Sequence, residues 1–207
     1  MAEAEQTVYI VEDDEAVRDS LSMLLRSEGL AVQGYERATR FLEDWHAGMQ
    51  GCIVLDIRMP EMDGMELQEE LIERGSTLPI IFVTGHGDVP LAVEAMHKGA
   101  VDFIEKPYRE DQILEKIRGA LAADAEQQQG REHKRAVEDQ LGQLTPRERE
   151  IMDRMVAGQA NKVIAIELDI SQRTVEIHRS RVMHKMGTHS LAQLVRMVMS
   201  VRDGDGQ

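Results

Sequence analysis

Cys52-Ile53-Val54-Leu55-Asp56-Ile57-Arg58-Met59-Pro60 carries a small residue and three aliphatic ones straight into a carboxylate and closes on a Met-Pro turn. A short continuous apolar run of this kind reads as a strand buried on both faces. Asp56 then stands at the C-terminal end of that strand, the edge where open α/β sheets keep their ligand crevice. Taken alone, Asp56 could equally be a solvated strand-end residue or a turn cap. The flanking sequence decides between these.

Upstream, Val8-Tyr9-Ile10-Val11 is a short strand followed at once by Glu12-Asp13-Asp14-Glu15. Val17, Leu21, Leu24 and Leu25 recur at helical spacing, and Gly29 is placed to end that helix. A weaker strand spans 31–35, and Phe41, Leu42 and Trp45 mark a second helix. Downstream, Met65, Leu67, Leu71 and Ile72 give a third helix, and residues 79–83 a fourth strand that ends at Thr84. A helix over 89–98, a fifth strand over 101–104 and a helix carrying Ile113, Leu114, Ile117 and Leu121 complete the series. Strands alternating with helices predict an α/β domain, a parallel sheet covered on both faces. Right-handed crossovers favour the five-stranded flavodoxin-like order 2-1-3-4-5.

That fold gathers four features at one sheet edge: Glu12 and Asp13 after the first strand, Asp56 after the third, Thr84 after the fourth and Lys106 after the fifth. Each is a weak signal by itself. Together they form a reaction site. Three clustered carboxylates repel one another unless a divalent cation joins them. An all-oxygen ligand set suits Mg²⁺, which pairs one or two carboxylates with phosphate and water. A carboxylate beside such an ion can attack phosphorus and form an acyl phosphate. Lys106 supplies a positive charge and Thr84 a hydroxyl to the phosphoryl oxygens. Pro107 could hold the lysine loop in a tight, cis turn.

Composition bounds the alternatives. Aromatic residues make up 3% of the chain while Met occurs 13 times, so the cores must be aliphatic and Met-rich. Cys52 is the single cysteine, lies within an apolar run and reads as a small core residue. The acidic start, Met1-Ala2-Glu3-Ala4-Glu5, is not that of a usual secretory signal. No run approaches the roughly 18 apolar residues of a membrane span. The expected location is cytoplasmic, with no membrane partner.

The net charge of −14 argues against nucleic-acid binding until the chain is divided. Residues 1–123 hold 25 acidic and 11 basic side chains, whereas 124–207 hold 13 of each. Such asymmetry predicts two domains: 1–123, then a polar linker at 124–141 that could be partly helical, then 142–207. In the last segment Thr145, Pro146 and Glu148 make a capping box with proline at the first helical position. A short helix over 162–168, a turn, and a longer helix capped by Ser171 follow. Ser190 with Gln193 predicts a capping box opening a last helix, and 203–207 reads as a disordered tail. This is a small four-helix unit containing a helix-turn-helix.

At about 100° per residue, Val175, Val182 and Met186 share one side of the Ser171-capped helix. Arg173, Glu176, Ile177, Ser180 and His184 share the other, flanked by Arg179, Arg181 and Lys185. A solvated charged helix is the plain alternative. An exposed Ile177 among cations, however, suits a thymine methyl in a major groove, with the flanking cations on phosphates. His178, His184 and His189 have none of the cysteine partners usual in a zinc site.

Residues 7–122 resemble the receiver domain of two-component response regulators, and Thr84-Gly85-His86-Gly87-Asp88-Val89-Pro90 resembles its FixJ-type subgroup. The resemblance implies that Asp56 is the phosphoacceptor, served by a sensor histidine kinase. It implies a metal site of Glu12, Asp13, Asp56 and the backbone carbonyl of Arg58, holding Mg²⁺ or another divalent cation. Glu12 stands where many relatives have Asp. Thr84 and Phe103 resemble the family's switch pair, Lys106 its phosphoryl-binding lysine, and His86 is read as a loop residue. No enzyme activity is implied beyond Mg-dependent self-phosphorylation and self-dephosphorylation. Residues 144–200 resemble the LuxR/NarL-type helix-turn-helix, through 144–150, 161–165 and 171–179. That likeness implies promoter DNA as ligand, Thr174 on the backbone, a homodimer on phosphorylation, and RNA polymerase as a further partner. The rival enzyme, an aspartyl-phosphate phosphatase, usually has a second Asp two residues after the first, where this chain has Arg58.

Overall fold

A computed structural model describes residues 6–85 and 89–202. The chain divides into two compact units, 1–128 and 129–207. In the first, elements alternate as β1 (Thr7–Val11), α1 (Glu15–Ser27), β2 (Ala31–Tyr35), α2 (Ala38–Asp44) and β3 (Gly51–Asp56). They continue as α3 (Gly64–Glu73), β4 (Ile80–Thr84), α4 (Val89–His97), β5 (Asp102–Glu105) and α5 (Glu110–Gly142), whose residues from 129 on belong to the second unit. The sheet is parallel in the order β2-β1-β3-β4-β5, as the alternation predicts.

The twofold side-chain period of a strand sorts the core into two layers. Val8, Ile10, Cys52, Val54, Ile81 and Val83 face one way and pack with Leu21 and Leu25 of α1 and Ile113 and Ile117 of α5. Tyr9, Val11, Ile53, Leu55 and Phe82 face the other way and pack with Phe41, Leu67, Leu71 and Ala95 of α2, α3 and α4. Phe41 takes Tyr35 edge-on, at a ring separation of 5.2 Å. With both faces covered, every residue of β3 is buried.

Loop chemistry then sets the sheet's C-terminal edge. Asp14 caps α1 by accepting the Ala16 amide at 2.8 Å and the Val17 amide at 3.2 Å. Asp63 and Glu66 form a reciprocal capping box on α3. Gly64 follows, its amide 2.8 Å from the Ile57 carbonyl. A Cβ there would lie 2.3 Å from the Asp56 carbonyl oxygen, so only glycine lets α3 start this close to the end of β3.

The second unit contains α6 (Pro146–Val156), α7 (Asn161–Glu167), α8 (Gln172–Lys185) and α9 (Leu191–Arg202). The Thr145–Glu148 capping box is present with Pro146 behind it, and Ser171 caps α8 through the Thr174 amide. The box expected at Ser190 and Gln193 is displaced by Thr188. Its hydroxyl accepts the Ser190 amide at 3.2 Å and reaches Gln193 Oε1 at 2.9 Å.

Residues 124–141 are helical throughout, as part of α5. They show no apolar stripe because the two ends are held by different means. Asp124, fully buried, accepts the Gly51 amide at 2.8 Å and Gln6 Nε2 at 3.1 Å. Val137 instead joins the core of the second unit with Ile151, Met155, Val175 and Val182. The span between is rich in Ala, Glu, Gln, Lys and Arg, which propagate a helix without packing. The readings of His86 as a loop residue and of 203–207 as a tail fall outside the described residues.

Candidate functional site

Glu12, Asp13, Asp56 and Lys106 meet at the C-terminal edge of the sheet. One carboxylate oxygen from each of Glu12, Asp13 and Asp56 lies within 4.8 Å of the others, with Glu12 and Asp56 buried and Asp13 exposed. Lys106 Nζ stands 2.6 Å from Glu12 Oε2 and 3.2 Å from Asp56 Oδ2. The Lys106–Pro107 peptide is cis. The Lys106 amide donates to the Thr84 carbonyl at 2.7 Å, which ties β5's exit to β4's end. Thr84 itself is fully buried, and its hydroxyl has no hydrogen-bond partner among the described residues. Phe103 is half-buried against the α2–α4 side of the core. Arg58 is exposed, and its amide approaches Asp56 Oδ1 at 3.4 Å.

Electrostatics follow from burial. Removal from water pushes the Glu12 carboxyl up to about 7, and the Asp56 charge adds to the rise against the hydrogen bond from Lys106. Burial alone would lower Lys106, but Glu12 and Asp56 outweigh it and raise its pKa. One cation therefore serves two buried acids while a third acid stands open at the rim. The cluster fits a divalent cation: three oxygen donors, two of them desolvated, with excess negative charge.

A pH dependence follows. A fold that raises Glu12 from 4.5 to about 7 favours its protonated form. That contribution to stability is fully present below pH 4.5 and is lost as pH rises through about 7. Cation binding needs the ionised form and must release the proton. Calorimetric titration with a divalent cation is expected to show affinity falling as pH is lowered from 8 to 6, with proton uptake by the buffer. Affinity that is flat over this range would contradict the placement of Glu12 at the cation.

The second unit offers a separate surface. Val175 and Val182 of α8 and its C-cap Met186 are fully buried, whereas Arg173, Glu176, Ile177, Ser180, Arg181 and His184 are exposed. Thr174 and Arg179 are half-buried, and the Thr174 hydroxyl is 2.8 Å from Ser171 Oγ. Asp169, at φ 50°, turns the chain between α7 and α8. Among the described residues, Arg173, Arg179 and Arg181 have no ion-pair partner. Lys185 is different. Its ammonium lies 2.6 Å from Glu148 Oε2 and 3.0 Å from the Gln143 carbonyl. Glu148 is buried, and Lys185 with the Thr145 amide pulls its carboxyl down to about 2. Helical spacing puts Lys185 beside the exposed face, but its charge is committed inside the bundle.

Comparison with known proteins gives each unit a family. Residues 8–118 match the model of the response regulator receiver domain, and residues 142–198 that of the bacterial regulatory proteins of the luxR family. The chain belongs to the response regulators. This response regulator is 44% identical over 192 residues to the transcriptional regulatory protein FixJ of Bradyrhizobium diazoefficiens, covering 93% of this chain and 94% of that one. It is 41% identical over 203 residues to the response regulator protein TodT of Pseudomonas putida, covering 98% of this chain and 89% of TodT. The solved structure of the response regulator StyR matches with a TM-score of 0.88 at 43% identity, covering 95% of this chain and 99% of that one. Full-length FixJ from B. japonicum matches with a TM-score of 0.60 at 42% identity, over 97% and 99% of the two chains. A receiver joined to a LuxR-type helix-turn-helix makes the protein a phosphorylation-dependent regulator of transcription. The receiver implies a histidine kinase as partner, and the helix-turn-helix implies DNA. Among the described residues no helix is long and apolar enough to cross a membrane.

Proposed function

We propose that Asp56 accepts a phosphoryl group from the phosphohistidine of a sensor kinase, and that the aspartyl phosphate licenses α8 to bind promoter DNA. The observation that carries this reading is Lys106 Nζ between Glu12 Oε2 and Asp56 Oδ2. A carboxylate oxygen of Asp56 attacks phosphorus as the donor's phosphorus–nitrogen bond breaks, and the histidine nitrogen leaves with its electron pair. Lys106 moves from the acids to the incoming phosphoryl oxygens, and the Thr84 hydroxyl, which has no partner among the described residues, donates to another. Mg²⁺ is the cation that best fits these donors, held by Glu12, Asp13, Asp56 and the Arg58 carbonyl, and it neutralises phosphoryl charge when bound. Slow hydrolysis at the same site returns Asp56 to its free form.

Movement of Thr84 toward the phosphoryl group leaves space that Phe103, only partly buried, can fill, which makes the two a switch pair. The regulator acts as a homodimer, since a helix-turn-helix commonly reads two half-sites, and RNA polymerase is the partner it serves at the promoter. Residues 1–123 form the receiver and 142–207 the DNA-binding domain, with the helical segment 124–141 between them. Arg173, Glu176, Ile177, Ser180 and His184 face bases, while Thr174, Arg179 and Arg181 face the phosphate backbone. Genome-wide footprinting with and without a small phosphodonor tests the coupling. Discrete sites that fill only with the donor are expected, and identical footprints in both conditions would refute it.

A further inference from the structure

Among the described residues, Asp13 is the one acid of the cation cluster whose carboxylate is not held. It is exposed, and among the described residues its carboxylate accepts no hydrogen bond, whereas buried Glu12 and Asp56 share Lys106. The backbone on either side therefore sets the Cα–Cβ direction from which the Asp13 carboxylate reaches the site. Arg18 grips that backbone. Its Nη1 donates to the Glu12 carbonyl at 2.8 Å and reaches the Asp13 carbonyl at 3.4 Å. These carbonyls belong to the two peptide planes that flank the Asp13 Cα. A planar peptide with its carbonyl held keeps one orientation, so holding both restrains the φ and ψ of Asp13 and the direction of its Cβ.

Arg18 is itself well anchored. It lies in the first turns of α1, where a long side chain runs back toward the helix N-terminus. Its amide donates to the Asp14 carbonyl at 2.9 Å, and its carbonyl accepts the Ser22 hydroxyl at 2.7 Å. Its stem lies along β2, where a Cβ on Gly34 would come within 3.3 Å of Arg18 Cδ. Both contacts come from one nitrogen, Nη1, whose two N–H directions are fixed by the planar guanidinium, whereas a lysine ammonium on a flexible stem rotates freely.

We propose that Arg18 is a positioning residue of the divalent-cation site, aiming the Asp13 carboxylate at Glu12 and Asp56 through two consecutive backbone carbonyls. The inference rests on the reading of these three acids as the cation site. It is tested on the full chain, with wild type, Arg18→Ala, Arg18→Lys and Asp13→Asn titrated with MgCl₂ by calorimetry and melted without Mg²⁺. Groups behind the ligands commonly change metal affinity about tenfold or more. Arg18→Ala is expected to raise the Mg²⁺ Kd about tenfold, and Arg18→Lys by a smaller factor, with cooperative melting kept in both. Wild-type affinity in either soluble variant overturns the role of Arg18, as does a lowered melting temperature with unchanged Mg²⁺ affinity. Should Arg18→Ala fail to fold, Arg18→Lys carries the test on the same terms. If wild type binds no Mg²⁺, or Asp13→Asn binds it as wild type does, the cation-site reading fails and takes the inference with it.

Discussion

Asp56→Asn protein, given a small-molecule phosphodonor and Mg²⁺, is expected to incorporate no acyl phosphate and to bind DNA identically with and without the donor. The amide keeps the size of the carboxylate but is a far poorer nucleophile toward phosphorus, so the step is lost rather than slowed. Loss of folding is not the cause to expect. Asp56 and Glu12 share one ammonium, and the Asp56 charge helps to drive Glu12 up to about 7. Removing that charge relieves a buried like-charge contact, so the cation-free melting temperature is expected to stay level or rise. Phosphate incorporation is checked by intact-mass analysis with hydroxylamine release, and DNA binding by fluorescence anisotropy on a footprinted site. Phosphate uptake at wild-type level by the variant would place the phosphoacceptor elsewhere. Wild-type protein whose binding ignores the donor would uncouple the two units.

The receiver was readable because its chemistry sits where secondary structure changes. An apolar run into Asp56, and again into Glu12 and Thr84, signals both a strand and the polar edge at which it ends, and parallel order then brings those edges together. Sequence spacing was a poorer guide where a side chain acts through a distant or non-periodic partner. A basic residue such as Arg18 in the first turns of a helix looks solvated; only the fold shows its guanidinium on the carbonyls of the acid pair. Lys185 looks like a flanking cation until α6 brings Glu148 beneath it. The continuation of α5 was hidden for another reason. Its two anchors, polar at Asp124 and apolar at Val137, belong to different surroundings, so no single stripe runs between them.

The cations of α8 separate into three kinds, and DNA binding should separate them too. Arg173 is exposed on the face that carries Glu176 and Ile177, and the proposed function sets it against base edges. Arg173→Ala is expected to weaken a preferred site by about 1–3 kcal/mol while leaving non-specific binding little changed, because a base contact carries discrimination. Arg181 is exposed at the edge of that face, and the proposed function sets it against phosphate. Arg181→Ala is expected to weaken all sequences alike and to reduce the slope of log K against log salt by about 1, since one fewer counterion is released. Lys185→Ala is expected to leave that slope unchanged, because its ammonium is already paired with Glu148. What it costs is stability. Glu148, held down to about 2, contributes above its ordinary 4.5, and that contribution is lost as pH falls toward 2. Stripped of Lys185, a buried carboxylate is left with fewer partners, and the helix-turn-helix should melt earlier at neutral pH than wild type. Anisotropy titrations at several salt concentrations, set beside thermal melts of the same proteins, distinguish the three. A reduced salt slope for Lys185→Ala with an unchanged melting temperature would mean that the lysine leaves Glu148 for phosphate when DNA arrives.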